Sequence, residues 1–351
     1  MKKLIRAIVF FVLFITIYEL VVLIITPKNF TGNGFPTTST YSDFYELENN
    51  TVDVLFLGSS NAVCAFVPAE LYYQYNITSY NLACEQQNIF TSYYWLEEAL
   101  RYQNPKVVVL DVAMLYLYDD ENLAVSREGL TRRAFDFMKW SPVKIRAAIQ
   151  MLGVGETLTT ESIVLPTIPY HERWESININ DFTIDKFGQP SLWKGYLPLE
   201  FYAGVESFEP ITETQIMQSV EESGNEFMLS YLDRIVDLCR DEHIELIITM
   251  APSTFHDAGK HLFLGNYADE KNIQFVDYNE KTVCENMKLN FYSDCHDDAH
   301  CNFDGAVKVT DYIGKIIYEK IGKSNCDVEE WNRFLAEYKE YLRTVNVRAY
   351  K

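Results

Sequence analysis

Two short segments carry residue types suited to acyl-transfer chemistry. The first, Val54 to Ser60, is an apolar run that stops on Gly58, Ser59 and Ser60. A buried strand ending in a Gly-Ser turn holds a hydroxyl at the rim of a parallel sheet, where ligands and catalytic groups of open α/β sheets collect. The second, Asp297-Asp298-Ala299-His300, lies far along the chain, just before a helical pattern opened by Asn302 and Gly305. A serine hydroxyl is a poor nucleophile at neutral pH. It needs a base within hydrogen-bond reach, and the base gains from a carboxylate that fixes its tautomer and stabilises the imidazolium. His300 is the candidate base and Asp297 its orienter; spacing alone leaves Asp294 and Asp298 as alternatives. Taken singly, Ser59 and Ser60 also read as ordinary turn residues at a strand end.

The cluster Asp294, Cys295, His296, Asp297, Asp298, His300 and Cys301 has a competing reading as a metal site. It lacks the paired Cys-x-x-Cys spacing of structural zinc, and His296 and His300 precede the helix, so they need not share a face. The expectation is therefore no metal. His171, His243, His256 and His261 read as surface or hydrogen-bonded histidines, with His171 placed best to approach the site.

The elements that must position these groups alternate regularly. Strand candidates are 52–57, 78–82, 106–112, 245–250 and 273–276. Helices are expected at 90–102, 227–240 and 305–321, with a final amphipathic helix at 327–343. Alternation of buried strands with helices predicts a parallel sheet with helices on both faces. Residues 118–223 break the rhythm with a helix around 134–152 and an aromatic, loop-rich part containing His171, Trp174 and Trp193. An insertion leaving the third strand would lie beside the site, so His171 and Trp174 are candidates for a substrate wall. The aromatics read equally well as the insertion's own core.

The N-terminus sets the expected location. Leu4 to Thr26 is an almost unbroken apolar run, close to the ~20 residues a helix needs to cross a bilayer. Lys2, Lys3 and Arg6 precede it, placing the N-terminus in the cytoplasm by the positive-inside rule. No small-x-small cleavage site follows, so residues 1–27 read as an uncleaved anchor and the rest as extracytoplasmic. Glu19 lies inside that span and reads either as a tolerated, locally hydrated carboxyl or as a contact to another membrane protein. Residues 28–48, rich in Thr, Ser, Gly and Asn, read as a linker, 49–325 as the α/β domain and 326–351 as a C-terminal helix.

Bulk composition excludes some partners. Hydrophobic residues make up 48% of the 351, so the chain is globular. A net charge of −20 offers no basic stripe for nucleic acid and disfavours adhesion to anionic headgroups. Seven cysteines cannot all pair within one chain. Cys295 and Cys301 are near enough in sequence to close a small loop, which an exported domain permits. Cys64, Cys84 and Cys239 sit in apolar surroundings and read as core thiols.

Residues 50–120 and 225–322 together resemble the SGNH (GDSL-type) hydrolase superfamily, whose first block is a strand followed by Gly-Asp-Ser and whose last is Asp-x-x-His before a helix. Gly58-Ser59-Ser60 matches the first block with Ser in place of Asp, which puts the nucleophile at Ser60; Asp297 and His300 match the last, and Asn81 the start of the second. The chain departs from the family where the oxyanion glycine falls on Gln86 and where no Asn follows strand three. The resemblance implies an oxyanion hole built on the Ser60 amide with a contribution near Gln86. Gly-Ser-Ser chains without the third block resemble membrane-anchored proteins of teichoic-acid D-alanylation and alginate-type O-acetylation, which work with a membrane-bound O-acyltransferase.

The expectation is a flavodoxin-like three-layer α/β/α domain held outside a bacterial plasma membrane by one helix. Its expected activity is serine acyl transfer or ester hydrolysis on O-acyl groups of cell-envelope glycans, with no cofactor. The alternative is a catalytically weak cell-surface binding or assembly protein that keeps the fold.

Overall fold

The computed structural model describes residues 2–27, 37–117, 128–154, 159–182, 193–200, 208–325 and 329–345. The first part of the chain runs α1 (Lys2–Ile25), α2 (Thr37–Glu46), β1 (Val54–Leu57), α3 (Ser60–Ala65), α4 (Pro68–Tyr75), β2 (Ser79–Asn81), α5 (Ile89–Ala99) and β3 (Val107–Asp111). The insertion contributes α6 (Glu128–Phe135), α7 (Pro142–Val154), α8 (Thr160–Val164) and α9 (Glu213–Gln218). Then come α10 (Glu226–Asp241), β4 (Glu245–Met250), α11 (Ala258–Lys271), β5 (Gln274–Asp277), α12 (Lys281–Met287), α13 (Phe291–Asp294), α14 (Phe303–Ile321) and α15 (Glu329–Thr344).

The five strands form one parallel sheet in the order β2-β1-β3-β4-β5, the flavodoxin-like arrangement. β1 is flanked on both sides, Val54 pairing with Ser79 of β2 and with Val107 of β3. Its four residues are buried, as are all five of β3. That burial on both faces explains the apolar runs Val54–Leu57 and Val107–Leu110, each Val or Leu contributing about 1.5–3 kcal/mol. α3, α4 and α14 pack together in one layer and α5 with α10 in another, which gives the three-layer α/β/α fold.

Two expectations about the periphery are corrected. Residues 37–46, expected in a linker, form α2, because Tyr41 and Phe44 are fully buried, Tyr41 stacking on Trp95. Residues 28–36 lie outside the described residues. The single helix expected at 134–152 is two, because Pro142 cannot continue α6 and instead starts α7, with Ser141 Oγ accepting from the Lys144 amide. Between β4 and β5, residues left unassigned from the sequence form α11, capped by Asp257, whose carboxylate accepts from the amides of Gly259 and Lys260.

α1 is long and apolar enough to cross a membrane. Most of its surface is exposed, and only Val22 and Ile25 are buried, both near its C-terminal end. That end touches the two 3₁₀ turns of the insertion, His171–Ser176 and Ile179–Phe182.

Candidate active site

Ser60 opens α3 immediately after β1, and the turn between them depends on Gly58. Its φ of +140° is one that residues with a Cβ rarely adopt, and a Cβ built there would lie 2.9 Å from Asp111 Cβ. Ser59 caps the helix, its Oγ accepting from the Asn61 amide at 3.4 Å; both serines line the cavity, and it is Ser60 that reaches His300.

His300 reaches Ser60 because α14 is fastened to the α3–α4 junction. Thr310 on α14 donates to Ala65 O at 3.2 Å and accepts from the Val67 amide at 2.9 Å. The N-terminus of α14 is fixed by Asn302, whose Oδ1 accepts from the Gly305 amide while its Nδ2 donates to Ser293 O at 2.7 Å. Asn81 ties down the far end of α3, its Nδ2 donating to Ala62 O at 2.8 Å and Phe66 O at 3.0 Å.

The result is a continuous chain of hydrogen bonds. Ser60 Oγ lies 2.8 Å from His300 Nε2, and His300 Nδ1 lies 2.9 and 3.0 Å from the two Asp297 oxygens. An ionised carboxylate can only accept, so Nδ1 carries the proton and Nε2 is left to accept from the Ser60 hydroxyl. Asp297 Oδ1 also accepts from the amides of Ala299 and His300, which folds the loop around the carboxylate. Burial pushes the Asp297 carboxyl up, but the His300 hydrogen bond, these amides and the imidazole's charge outweigh it and hold it at about 2. It is Asp297, not the alternatives, that bonds His300: Asp294 is buried and bonded to Lys308 Nζ at 2.7 Å, and Asp298 is exposed.

The hydroxyl opens into a cavity of about 440 Å³. Ala113, Met114, Tyr116 and Leu117, just after β3, form one mainly apolar wall; Met250 at the end of β4, with Ser253, Phe255, His256 and Lys260 beyond it, forms a second wall that carries polar groups. The position after β3, where the family carries an Asn, is thus apolar. Gln86 lines the cavity in the left-handed conformation, with φ of +57°. That conformation costs a residue with a Cβ about 1 kcal/mol and is one natural to glycine. Asn61 completes the lining beside Ser60. The wall residues were not singled out from sequence, although all follow the carboxyl end of β3 or β4, where sites of this fold gather.

His171 and Trp174 do not line this cavity. They lie on the 3₁₀ turn beside α1, with His171 Nδ1 2.6 Å from Ile168 O and Trp174 67% exposed. The reason is that residues 128–182 of the insertion pack over α2, α5 and α1, whereas the part that reaches α3 is a different one, Leu197 donating its amide to Val63 O. Residues 118–127, which leave β3, lie outside the described residues. Among the described residues no group of three His, Cys, Asp or Glu side chains is gathered that could hold a metal. His296 Nδ1 instead contacts Glu200 O at 2.5 Å, and Cys295 and Cys301 face each other across a short β-bridge as buried thiols. Cys64, Cys84 and Cys239 are likewise buried thiols in the core. His256 and His261 both bond the buried Asp277, at 2.9 and 2.7 Å.

No protein-family model matches the chain, and no curated protein matches it. Solved structures do. A G-D-S-L family protein from Desulfitobacterium hafniense aligns over 76% of this chain and 99% of its own, at 13% identity and a TM-score of 0.37. A protein assigned as an acylhydrolase from Bacteroides fragilis aligns over 80% of this chain and 94% of its own, at 12% identity and the same TM-score of 0.37. The three-layer fold implied by the resemblance to the SGNH superfamily is the one observed in the chain's own sheet order.

Proposed function

We propose that this chain is a membrane-anchored, extracytoplasmic serine esterase or acyltransferase acting on O-acyl groups of cell-envelope glycans. The observation that carries the catalytic part is the unbroken Ser60–His300–Asp297 chain opening on an apolar cavity. Ser60 Oγ attacks the ester carbonyl as its proton passes to His300 Nε2. The tetrahedral oxyanion is received by backbone amides at the start of α3 and near Gln86. Collapse breaks the ester C–O bond, and His300 returns the proton to the departing alcohol. Water or a sugar hydroxyl then enters by the reverse sequence, its proton going to His300 and back to Ser60. Hydrolysis and transfer share the acyl-Ser60 intermediate. The apolar wall after β3 suits the acyl group better than the sugar. Anchoring by α1 and the apolar wall where a third donor is expected favour work on a membrane-proximal acyl donor with a membrane-bound O-acyltransferase partner.

A fluorophosphonate probe tests the reaction class. The wild type should label, and Ser60→Ala and His300→Ala should lose labelling and ester turnover by on the order of 10⁴-fold or more. Absence of labelling in folded wild-type protein would favour the cell-surface binding protein that keeps the fold.

A further inference from the structure

The insertion carries an unusual set of exposed apolar side chains. Trp140, Val164, Ile168, Trp174, Ile179 and Phe182 are 55%, 50%, 40%, 67%, 82% and 58% exposed. They belong to segments that meet the C-terminal half of α1. Arg173 donates to Ile25 O at 2.7 Å, and Tyr18 Oη and Thr167 Oγ1 lie 3.5 Å apart. A cavity of about 340 Å³ between them is lined by Tyr18, Val22 and Thr26 on the α1 side and by Trp140, Val164 and Pro166 on the other.

We infer that this apolar rim is seated in the outer leaflet of the bilayer, as a second attachment beside α1. The inference rests on the reading of α1 as a membrane span. Its physical basis is length. The insertion grips α1 from Tyr18 onward. If everything it touches stood clear of the membrane, only Leu4 to Ile17 would remain to cross. Roughly 14 residues at ~1.5 Å each give about 21 Å, short of the ~30 Å hydrocarbon core. The whole helix gives about 36 Å and spans comfortably. Keeping α1 across the bilayer therefore draws the rim into the headgroup and upper acyl region. Exposed tryptophans and branched aliphatics are suited to that zone. The same arrangement accounts for Glu19, which lines the cavity with Arg132, Asp136 and Lys144 and so meets protein polar groups. Two attachments, unlike a single helix, also fix the orientation of the α/β domain relative to the membrane.

The test uses the full chain in phosphatidylcholine vesicles containing doxyl-labelled lipid. Single cysteines at Trp174→Cys and Ile179→Cys carry an environment-sensitive fluorophore. Leu13→Cys reports the span, and Val220→Cys, 85% exposed on a segment packed near α11, reports water. Cys326 is replaced by Ser; the six described native cysteines are buried. Seated labels should lose emission on the order of twofold, as expected ~5–10 Å into the headgroup–acyl boundary, with Val220→Cys unchanged. Quenching at Leu13→Cys with rim labels matching Val220→Cys overturns the inference alone and assigns the face to water or a protein partner. Absence of quenching at Leu13→Cys overturns the span reading and this inference with it.

Discussion

At the scale of single residues, the site rests on which atom carries which proton. Asp297 accepts from His300 Nδ1, so an Asn at that position offers an amide whose rotation can present a donor instead, and the imidazolium loses its counter-charge. Asp297→Asn should cut turnover of an activated ester by on the order of 10⁴-fold while Ser60 stays in place. A measurement of kcat with circular dichroism checks this, and an unchanged kcat would remove Asp297 from the machinery. With its carboxyl held at about 2, Asp297 stays ionised through the ordinary acid range, so an acid limb well above that value belongs to another group. Gln86 poses the complementary question of backbone against side chain. It lines the cavity in a conformation natural to glycine. Gln86→Gly should raise stability or leave it level, within about 1 kcal/mol, and preserve probe labelling if its amide is what serves the site. A large loss of kcat without a loss of stability would show that the side chain matters.

At the scale of elements, the distance between Ser60 and His300 is set by how α3, α4 and α14 are tied. The strand ends and the Asp-x-x-His loop were legible in the sequence because their chemistry is local: a buried run before Gly58, a capped helix after Asn302. The ties were not. Thr310 reads as one more residue of an amphipathic helix, and its two bonds to the α3–α4 junction connect positions more than two hundred residues apart. Asn81 was read through a family block, yet it does not line the cavity at Ser60 and instead holds two carbonyls of the helix that Ser60 opens. Asn81→Ala removes the donor of the Phe66 carbonyl, whereas Ala62 O keeps the Phe66 amide, at a cost of about 1–3 kcal/mol. The expected outcome is a lowered denaturation midpoint together with weaker Ser60 labelling, measured side by side. Normal labelling at unchanged stability would mean that α3 is held by packing alone. His171 and Trp174 were misplaced because nothing in one sequence says which side of the sheet an insertion falls to. Their aromatic character is spent beside α1.

At the scale of the whole molecule, a net charge of −20 means that many carboxylates repel one another, and the fold still buries some of them. Asp111 is the instructive one. It ends β3, is fully buried, and accepts from the Ala251 amide at 2.8 Å and the Ala113 amide at 3.3 Å. Burial outweighs those bonds and raises its carboxyl to about 6, whereas Asp277, beside two histidines, is lowered despite burial. The signs are opposite. A raised carboxyl means the folded state binds the proton more tightly. Its contribution to stability is present below the ordinary value near 3.8 and is lost as pH rises through about 6. Asp277 and Asp297 act in reverse, contributing above the ordinary value and losing that contribution as pH falls through their lowered ones. The total pH profile mixes these groups with the surface charge, so Asp111 has to be isolated by difference. Asp111→Asn cannot titrate, and its destabilisation relative to wild type should be about 2 kcal/mol greater at pH 4 than at pH 7. Urea denaturation of both proteins at the two pH values measures that difference. Equal destabilisation would mean that the two amides keep Asp111 ionised in the fold, and that the edge of β3 beside Gly58 carries a full negative charge close to Ser60.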